Sequence, residues 1–217
     1  DFIYLNICRF FRKKTSVFIH GFNFEYAKNA DWKWISANLN KALCIFVLSQ
    51  DFKNELIRRG IKSDIHLTST KVPDYFISGF DLSMRQGKAE NIMYSGRIEK
   101  AKGVYETVDT FSILKSQDLT LTFVGDGSEL PMLKQYVENK KIKDVRFTGE
   151  LRGEDFKKEY INADMYLFLS YTEGMPTVVL EAMIFGLPIF TRKVGGLIDF
   201  FENGKMGYIS SSLDPAV

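Results

Sequence analysis

Residues 165–190 read MYLFLSYTEGMPTVVLEAMIFGLPIF, and this stretch decides the fold class. Met165 to Leu169 is a short apolar run bounded by turn formers, as expected of a buried strand. Gly174 permits backbone angles and a close approach that other residues resist. Pro176 suits the first helical position, where its missing N–H costs nothing. Val178 to Ile184 then reads as a largely buried helix, and Gly186-Leu187-Pro188 ends it before the apolar pair Ile189-Phe190. The unit is strand, glycine-bearing loop, helix, strand. In open parallel sheets, ligands bind at the carboxyl edge of the strands, where this loop lies.

Two carboxylates flank that loop eight residues apart, Glu173 before the helix and Glu181 about two turns into it. A helix N-terminus offers unpaired N–H groups and the positive end of a dipole, which together bind phosphate. Carboxylates accept hydrogen bonds from sugar hydroxyls. The arrangement therefore suits a phosphate with a sugar on either side, which is a nucleotide sugar. The competing reading is a solvated pair of acids or a helix cap. Glu181 argues against it, because it falls inside an apolar stretch where a carboxylate is expensive unless hydrogen-bonded.

Working outward, apolar runs alternate with helical periodicity, which predicts an α/β fold with a mainly parallel sheet. Strands are expected at Val17–His20, Leu43–Leu48, Asn91–Ser95, Leu119–Val124, Val145–Thr148 and Ile189–Arg192. Helices are expected at Trp32–Ala42, Gln50–Arg59, Val104–Leu114, Glu129–Asn139 and Glu154–Ile161, with a short one at Leu197–Glu202. Residues 68–91 carry Pro73, Gly79 and Gly87 with little periodicity and read as a connection between two lobes.

Composition narrows the partners. The 217 residues are 45% hydrophobic and 26% charged, ordinary for a protein with a sizeable core. A net charge of +2 gives no case for nucleic acid as a bulk partner. Cys8 and Cys44 are too few for a disulfide framework or metal site, and reduced thiols point to the cytosol. No apolar run approaches the length of a membrane span.

Three further segments carry candidate chemistry. Ser95-Gly96-Arg97-Ile98-Glu99-Lys100-Ala101-Lys102-Gly103 leaves a predicted strand, and Arg97 and Lys102 are placed to neutralise a diphosphate without a metal. Val124-Gly125-Asp126-Gly127-Ser128-Glu129 has Leu130 where a dinucleotide fingerprint needs its third glycine, so it reads as a tight strand-to-helix turn lining the nucleotide pocket. His20 follows a first-lobe strand, from which it is placed to hydrogen-bond a sugar. A structural histidine is the alternative. Arg12-Lys13-Lys14 beside Phe10 and Phe11 is most simply a solvated basic loop, with weak scope for membrane-surface contact.

Taken together, E-G-M-P-T-V-V-L-E-A, F-G-L-P-I, K-V-G-G-L, S-G-R-I-E-K-A-K-G, F-V-G-D-G-S-E and F-T-G-E-L resemble the family 4 retaining glycosyltransferases of the GT-B fold. The resemblance is specific from Asn91 to about Tyr208 and weaker over Val17 to Gly60. It implies two Rossmann-like lobes: a partial acceptor-side lobe at 1–74, a connection at 75–90, and a donor-binding domain at 91–217 lacking its final helices. It further implies that Arg97 and Lys102 grip the diphosphate, and that Glu173 holds hydroxyls of the transferred sugar. The backbone of Gly174, Met175, Pro176 and Thr177 would meet the sugar and distal phosphate. Glu181 would bind the ribose, the backbone at Glu150 and Leu151 the base, and His20 the sugar from the other lobe.

The implied reaction moves a hexose from a nucleotide-diphosphate sugar to a sugar or lipid-linked acceptor hydroxyl in surface polysaccharide or glycolipid synthesis, with no metal or cofactor. The implied setting is cytoplasmic, at the inner membrane face if peripheral contact is made. Uncovered apolar surface leaves room for a homo-oligomer. The family's glycine-rich opening elements do not precede the H-G strand here. That leaves a catalytically silent nucleotide-sugar module, or a sugar-nucleotide epimerase of the same fold, as alternatives.

Overall fold

The computed structural model describes residues 2–21, 31–85, 90–114 and 119–210. They fall into two units. The first is drawn from 1–70, 173–176 and 194–200, the second from 71–172, 177–193 and 201–217. Among the described residues, no helix is long and apolar enough to cross a membrane.

The first unit contains α1 (Phe2–Phe10), β1 (Ser16–Ile19), α2 (Trp32–Leu39), β2 (Cys44–Val47), α3 (Gln50–Arg58) and β3 (Asp64–Leu67). Its strands pair in parallel in the order β1-β2-β3, so that Val17, Ile45 and Ile65 stand in register. Ile45, Val47, Phe52 and Leu56 form its core, with Val17, Ile19, Trp32 and Ile35 packed against them. Side chains start α2 and α3: Asp31 accepts from the Trp34 N–H at 3.1 Å, and Ser49 from that of Phe52 at 3.1 Å. Such caps satisfy amides that have no partner inside the helix. Gly60, at φ +84, follows α3 as the expected closing residue. Neither α1 nor β3 was expected. In β3 only Ile65 is buried, so pairing with β2, rather than any apolar pattern, makes it a strand.

The second unit contains β4 (Asn91–Ser95), α4 (Val104–Ile113), β5 (Thr120–Val124), α5 (Leu130–Asn139), β6 (Val145–Gly149), α6 (Gly153–Asn162), β7 (Met165–Phe168), α7 (Thr177–Ile184), β8 (Ile189–Arg192) and β9 (Gly207–Ser210). All six strands are parallel, in the order β6-β5-β4-β7-β8-β9. This is the doubly wound Rossmann-like order, and the chain reverses direction across the sheet between β4 and β7. Tyr94, Phe123, Tyr160, Tyr166, Phe168 and Phe185 are fully buried, each stabilising the fold by roughly 1.5–3 kcal/mol.

Several details differ from the sequence expectation. Pro176 precedes the first helical residue of α7 by one position, and Glu181, four residues after Thr177, sits just over one turn into the helix rather than two. Leu197–Glu202 is not a helix; a 3-10 turn spans Gly195–Asp199 instead. Strand β9 was not expected. The aperiodic connection holds two 3-10 turns, Asp74–Ile77 and Leu82–Met84, and is fixed by docking. Phe76 and Phe80 lie 5.4 and 5.0 Å from the Phe185 ring, and the Lys157 ammonium donates to the Ser78 carbonyl. Arg85 donates to the carbonyls of Tyr160, Ile161, Ala163 and Phe185, at the ends of α6 and α7, where a cation also meets the negative ends of two helix dipoles.

Candidate functional site

The carboxyl edge of the second sheet is built from loops stitched to one another through backbone. After β4, Gly96 donates to Val124 at 3.0 Å and Ile98 to Asp126 at 2.9 Å, while Glu129 donates back to Ile98 at 3.0 Å. After β5, Gly125 donates to Gly149 at 2.9 Å. A Cβ on Gly125 would strike the Gly96 carbonyl, and one on Gly127 the backbone of Ile98. Close approach of the loops after β4 and β5 therefore explains both glycines.

Lys100–Lys102 forms a single 3-10 turn after β4, ended by Gly103 in the left-handed region at φ +67. The turn is tied to the exit of β7, because the Ala101 carbonyl accepts from the Tyr171 N–H at 3.0 Å and the Ser170 hydroxyl at 3.2 Å. The switch point between β4 and β7 is thus one connected surface. Arg97 lies on it with its side chain 70% exposed, paired at 2.9 Å with Glu99. An exposed pair of this kind contributes at most about 1 kcal/mol, so the guanidinium is open to a competing anion. Lys102 is half-buried in the same turn. After β6, Glu150 is exposed and pairs with Arg152 at 2.7 Å, while Leu151 is half-buried. Thr177 opens α7 on the exposed side.

Glu181 is drawn into a buried network. The Tyr160 hydroxyl donates to its Oε2 at 2.8 Å, and that hydroxyl lies 2.8 Å from Ser95 Oγ, which lies 2.8 Å from the Tyr166 hydroxyl. Ser95, Tyr160 and Tyr166 are wholly buried. Burial pushes the Glu181 carboxyl above its ordinary value of 4.5, and the Tyr160 hydrogen bond opposes that rise. Burial also raises both tyrosines, so their hydroxyls stay protonated and can donate.

A second cluster involves a residue outside the sequence motifs. Arg192, at the end of β8, is only 4% exposed and donates to the Leu169 carbonyl at 2.7 Å. Its guanidinium stands 4.3 Å from the ring centre of Tyr171, whose hydroxyl donates to Glu106 of α4. Strand β8, strand β7 and helix α4 thus clasp the segment that leads into Glu173. The available signal was an arginine ending an apolar run.

The remaining predicted residues belong to the first unit. His20 follows β1, is exposed, and lies against Phe18 with ring centres 4.1 Å apart and the rings tilted at 46°. Its carbonyl oxygen lies where a Gly174 Cβ would be, so that glycine is dictated by close packing. Gly196 donates to the Gly174 carbonyl at 2.7 Å, placing Glu173–Pro176 back to back with the V-G-G segment. Arg97, Lys102, Glu150, Leu151, Thr177 and Glu181 are thus second-unit residues, whereas His20, Glu173, Gly174, Met175 and Pro176 are first-unit residues.

Residues 83–216 match the model of the family "Glycosyl transferases group 1". The GDP-mannose-dependent alpha-mannosyltransferase of Corynebacterium glutamicum is 27% identical over 191 residues, covering 85% of this chain and 44% of the relative. The capsular polysaccharide biosynthesis glycosyltransferase CapM of Staphylococcus aureus is 31% identical over 128 residues, covering 54% of this chain and 32% of the relative. Among solved structures, Anabaena Alr3699/HepE in complex with UDP and glucose superposes with a TM-score of 0.76 at 18% identity, over 98% of this chain and 62% of that one. The chain therefore spans less than half the length of these two curated relatives. It belongs to the group 1 glycosyl transferases, and its fold is that of the GT-B enzymes.

Proposed function

We propose that this member of the group 1 glycosyl transferases is the donor-handling part of a retaining enzyme. It moves a hexose from a nucleotide-diphosphate sugar to an acceptor hydroxyl in surface polysaccharide or glycolipid synthesis. The observation that carries this reading is the β4–β7 switch point, where the Arg97–Lys102 loop and residues Ser170 and Tyr171 leaving β7 are tied together at the carboxyl edge of the sheet. The name of CapM and the UDP and glucose held by Alr3699/HepE support the chemical class.

In the proposed reaction, the bond from the anomeric carbon to the β-phosphate oxygen breaks and a bond to the acceptor oxygen forms. The acceptor proton passes to the departing diphosphate. Arg97, Lys102 and the amides opening α7 at Thr177 stabilise the charge that develops there, so no metal is needed. Glu181 accepts from ribose hydroxyls, and the backbone at Glu150 and Leu151 meets the base. Glu173, the Gly174–Pro176 backbone and His20 serve the transferred sugar. Residues 91–217 form the donor domain, 75–90 the connection, and 1–74 the acceptor side.

Calorimetry with UDP, GDP and ADP tests the donor site. Arg97→Ala and Lys102→Ala are each expected to weaken the tightest of the three by about 1.5–3 kcal/mol, the contribution of one charge-assisted hydrogen bond. Unchanged affinity in both variants removes these cations from the site.

A further inference from the structure

The hydrogen bonds around Glu181 have a direction that proton counting fixes. An ionised carboxylate only accepts, so the Tyr160 hydroxyl, 2.8 Å from Oε2, directs its one proton there. Its contact with Ser95 Oγ at 2.8 Å must then have serine as donor. Serine also has one proton, so at the 2.8 Å contact with Tyr166 it accepts from the tyrosine, whose one proton is shared between Ser95 Oγ and the Ser95 carbonyl at 3.1 Å. The chain therefore runs from Tyr166 on β7, through Ser95 on β4 and Tyr160 on α6, to Glu181 on α7. Each link polarises the next toward the carboxylate. Protonating Glu181 would remove the acceptor on which this direction depends.

Among the described residues, no cation pairs with Glu181. Tyr160 and Tyr166 are the titratable groups against it, and among the described residues no ion pair or hydrogen bond besides the Tyr160 contact reaches its carboxylate. The Arg85 guanidinium lies on backbone carbonyls at the far ends of α6 and α7. Tyr160 thus holds Oε2 within the fold, while Oε1 has no hydrogen bond to a described residue and the side chain as a whole is half-buried.

We propose that Tyr160, backed by Ser95 and Tyr166, is a positioning residue that keeps Glu181 ionised in one rotamer with Oε1 presented to the ribose. The proposal rests on the reading of Glu181 as the ribose ligand. It also gives the three buried hydroxyls a purpose that packing alone does not, because phenylalanine and alanine would fill the same space without desolvating polar atoms.

The test is the pH dependence of affinity for UDP, or for GDP or ADP where that binds more tightly, in wild type, Glu181→Gln, Tyr160→Phe and Tyr166→Phe. Glu181→Gln retains only the ligand's own phosphate ionisation and serves as the baseline. Against it, wild-type affinity is expected to fall as pH drops through the Glu181 titration. In Tyr160→Phe that limb moves to higher pH by about one unit, the equivalent of one charge-assisted hydrogen bond, with affinity approaching wild type well above it. In Tyr166→Phe the shift has the same sign and is smaller. The 13C shift of the Glu181 side-chain carboxyl, followed without ligand, is expected to titrate at higher pH in Tyr160→Phe. An unmoved carboxyl titration, or a loss of affinity equal at every pH, overturns the proposal. If Glu181→Gln binds like wild type at all pH values, the ribose reading itself fails and the proposal falls with it.

Discussion

Replacing Gly103 by alanine is expected to loosen the joint on which the candidate donor site is built. Gly103 has φ +67, and a Cβ placed there would collide with the Leu169 carbonyl oxygen and stand 3.1 Å from Leu169 Cβ. Two costs add. The left-handed backbone costs an L-residue roughly 1–2 kcal/mol, partly offset by about 0.4–1 kcal/mol of reduced freedom in the unfolded chain. Forcing a methyl group against backbone adds about 1–3 kcal/mol, because the Leu169 carbonyl, held by Arg192, cannot rotate away as a side chain can. The expected loss is therefore about 2–4 kcal/mol. Gly204→Ala isolates the first cost, since Gly204 has φ +82 with nothing within 4 Å of a Cβ and lies in the same unit. Urea unfolding followed by near-ultraviolet circular dichroism gives both values. The collision also displaces the Lys100–Lys102 turn from β7, so nucleoside diphosphate affinity should fall in Gly103→Ala and not in Gly204→Ala. If the two variants lose stability equally, within about 0.5 kcal/mol, the close approach at Leu169 is absent and the reasoning fails.

Two more expectations concern charge. Arg85→Met removes a guanidinium from four helix-end carbonyls and should cost about 2–4 kcal/mol in urea unfolding, less than the sum of four separate bonds because they share one cation. A loss under about 0.5 kcal/mol would mean that the connection does not brace α6 and α7. Glu181 has a folded-state carboxyl raised above its ordinary 4.5, so between those two values the folded chain binds more protons than the unfolded one. Wild type should therefore gain stability relative to Glu181→Gln as pH falls through the raised value, and the gain should be complete below the unfolded one. A stability difference that is flat with pH contradicts the burial of this carboxylate.

Much of the second unit was legible because its elements repeat one pattern. Each predicted strand from Asn91 to Arg192 overlaps an observed one, since an apolar run of strand length between turn signals has few alternatives in a layered fold. The aperiodic segments were not legible. Helix α1, strand β3 and strand β9 lack a clean pattern, and the last two are strands because a neighbour's backbone accepts them. The apolar stretch marks Glu181 as too expensive to bury alone, but its partner Tyr160 lies 21 positions away on another helix, and no spacing rule links them.

The sequence by itself determined that strands and helices alternate, that a glycine-bearing loop enters a helix between two acids, and that cations follow an earlier strand. These are local properties, set by side-chain periodicity and by what glycine and proline permit. Only the tertiary structure decided which of these segments meet. Strand order places β7 beside β4 rather than β6, and so joins Tyr171 to Ala101 and brings the hydroxyls of Tyr166, Ser95 and Tyr160 into one chain that ends on the Glu181 carboxylate. It also sets Arg192 beneath Tyr171 and assigns Glu173–Pro176 to the first unit while the helix they precede belongs to the second. The physical reason is that periodicity reports which face of an element is buried, whereas the identity of the neighbour on that face depends on how the sheet as a whole is ordered.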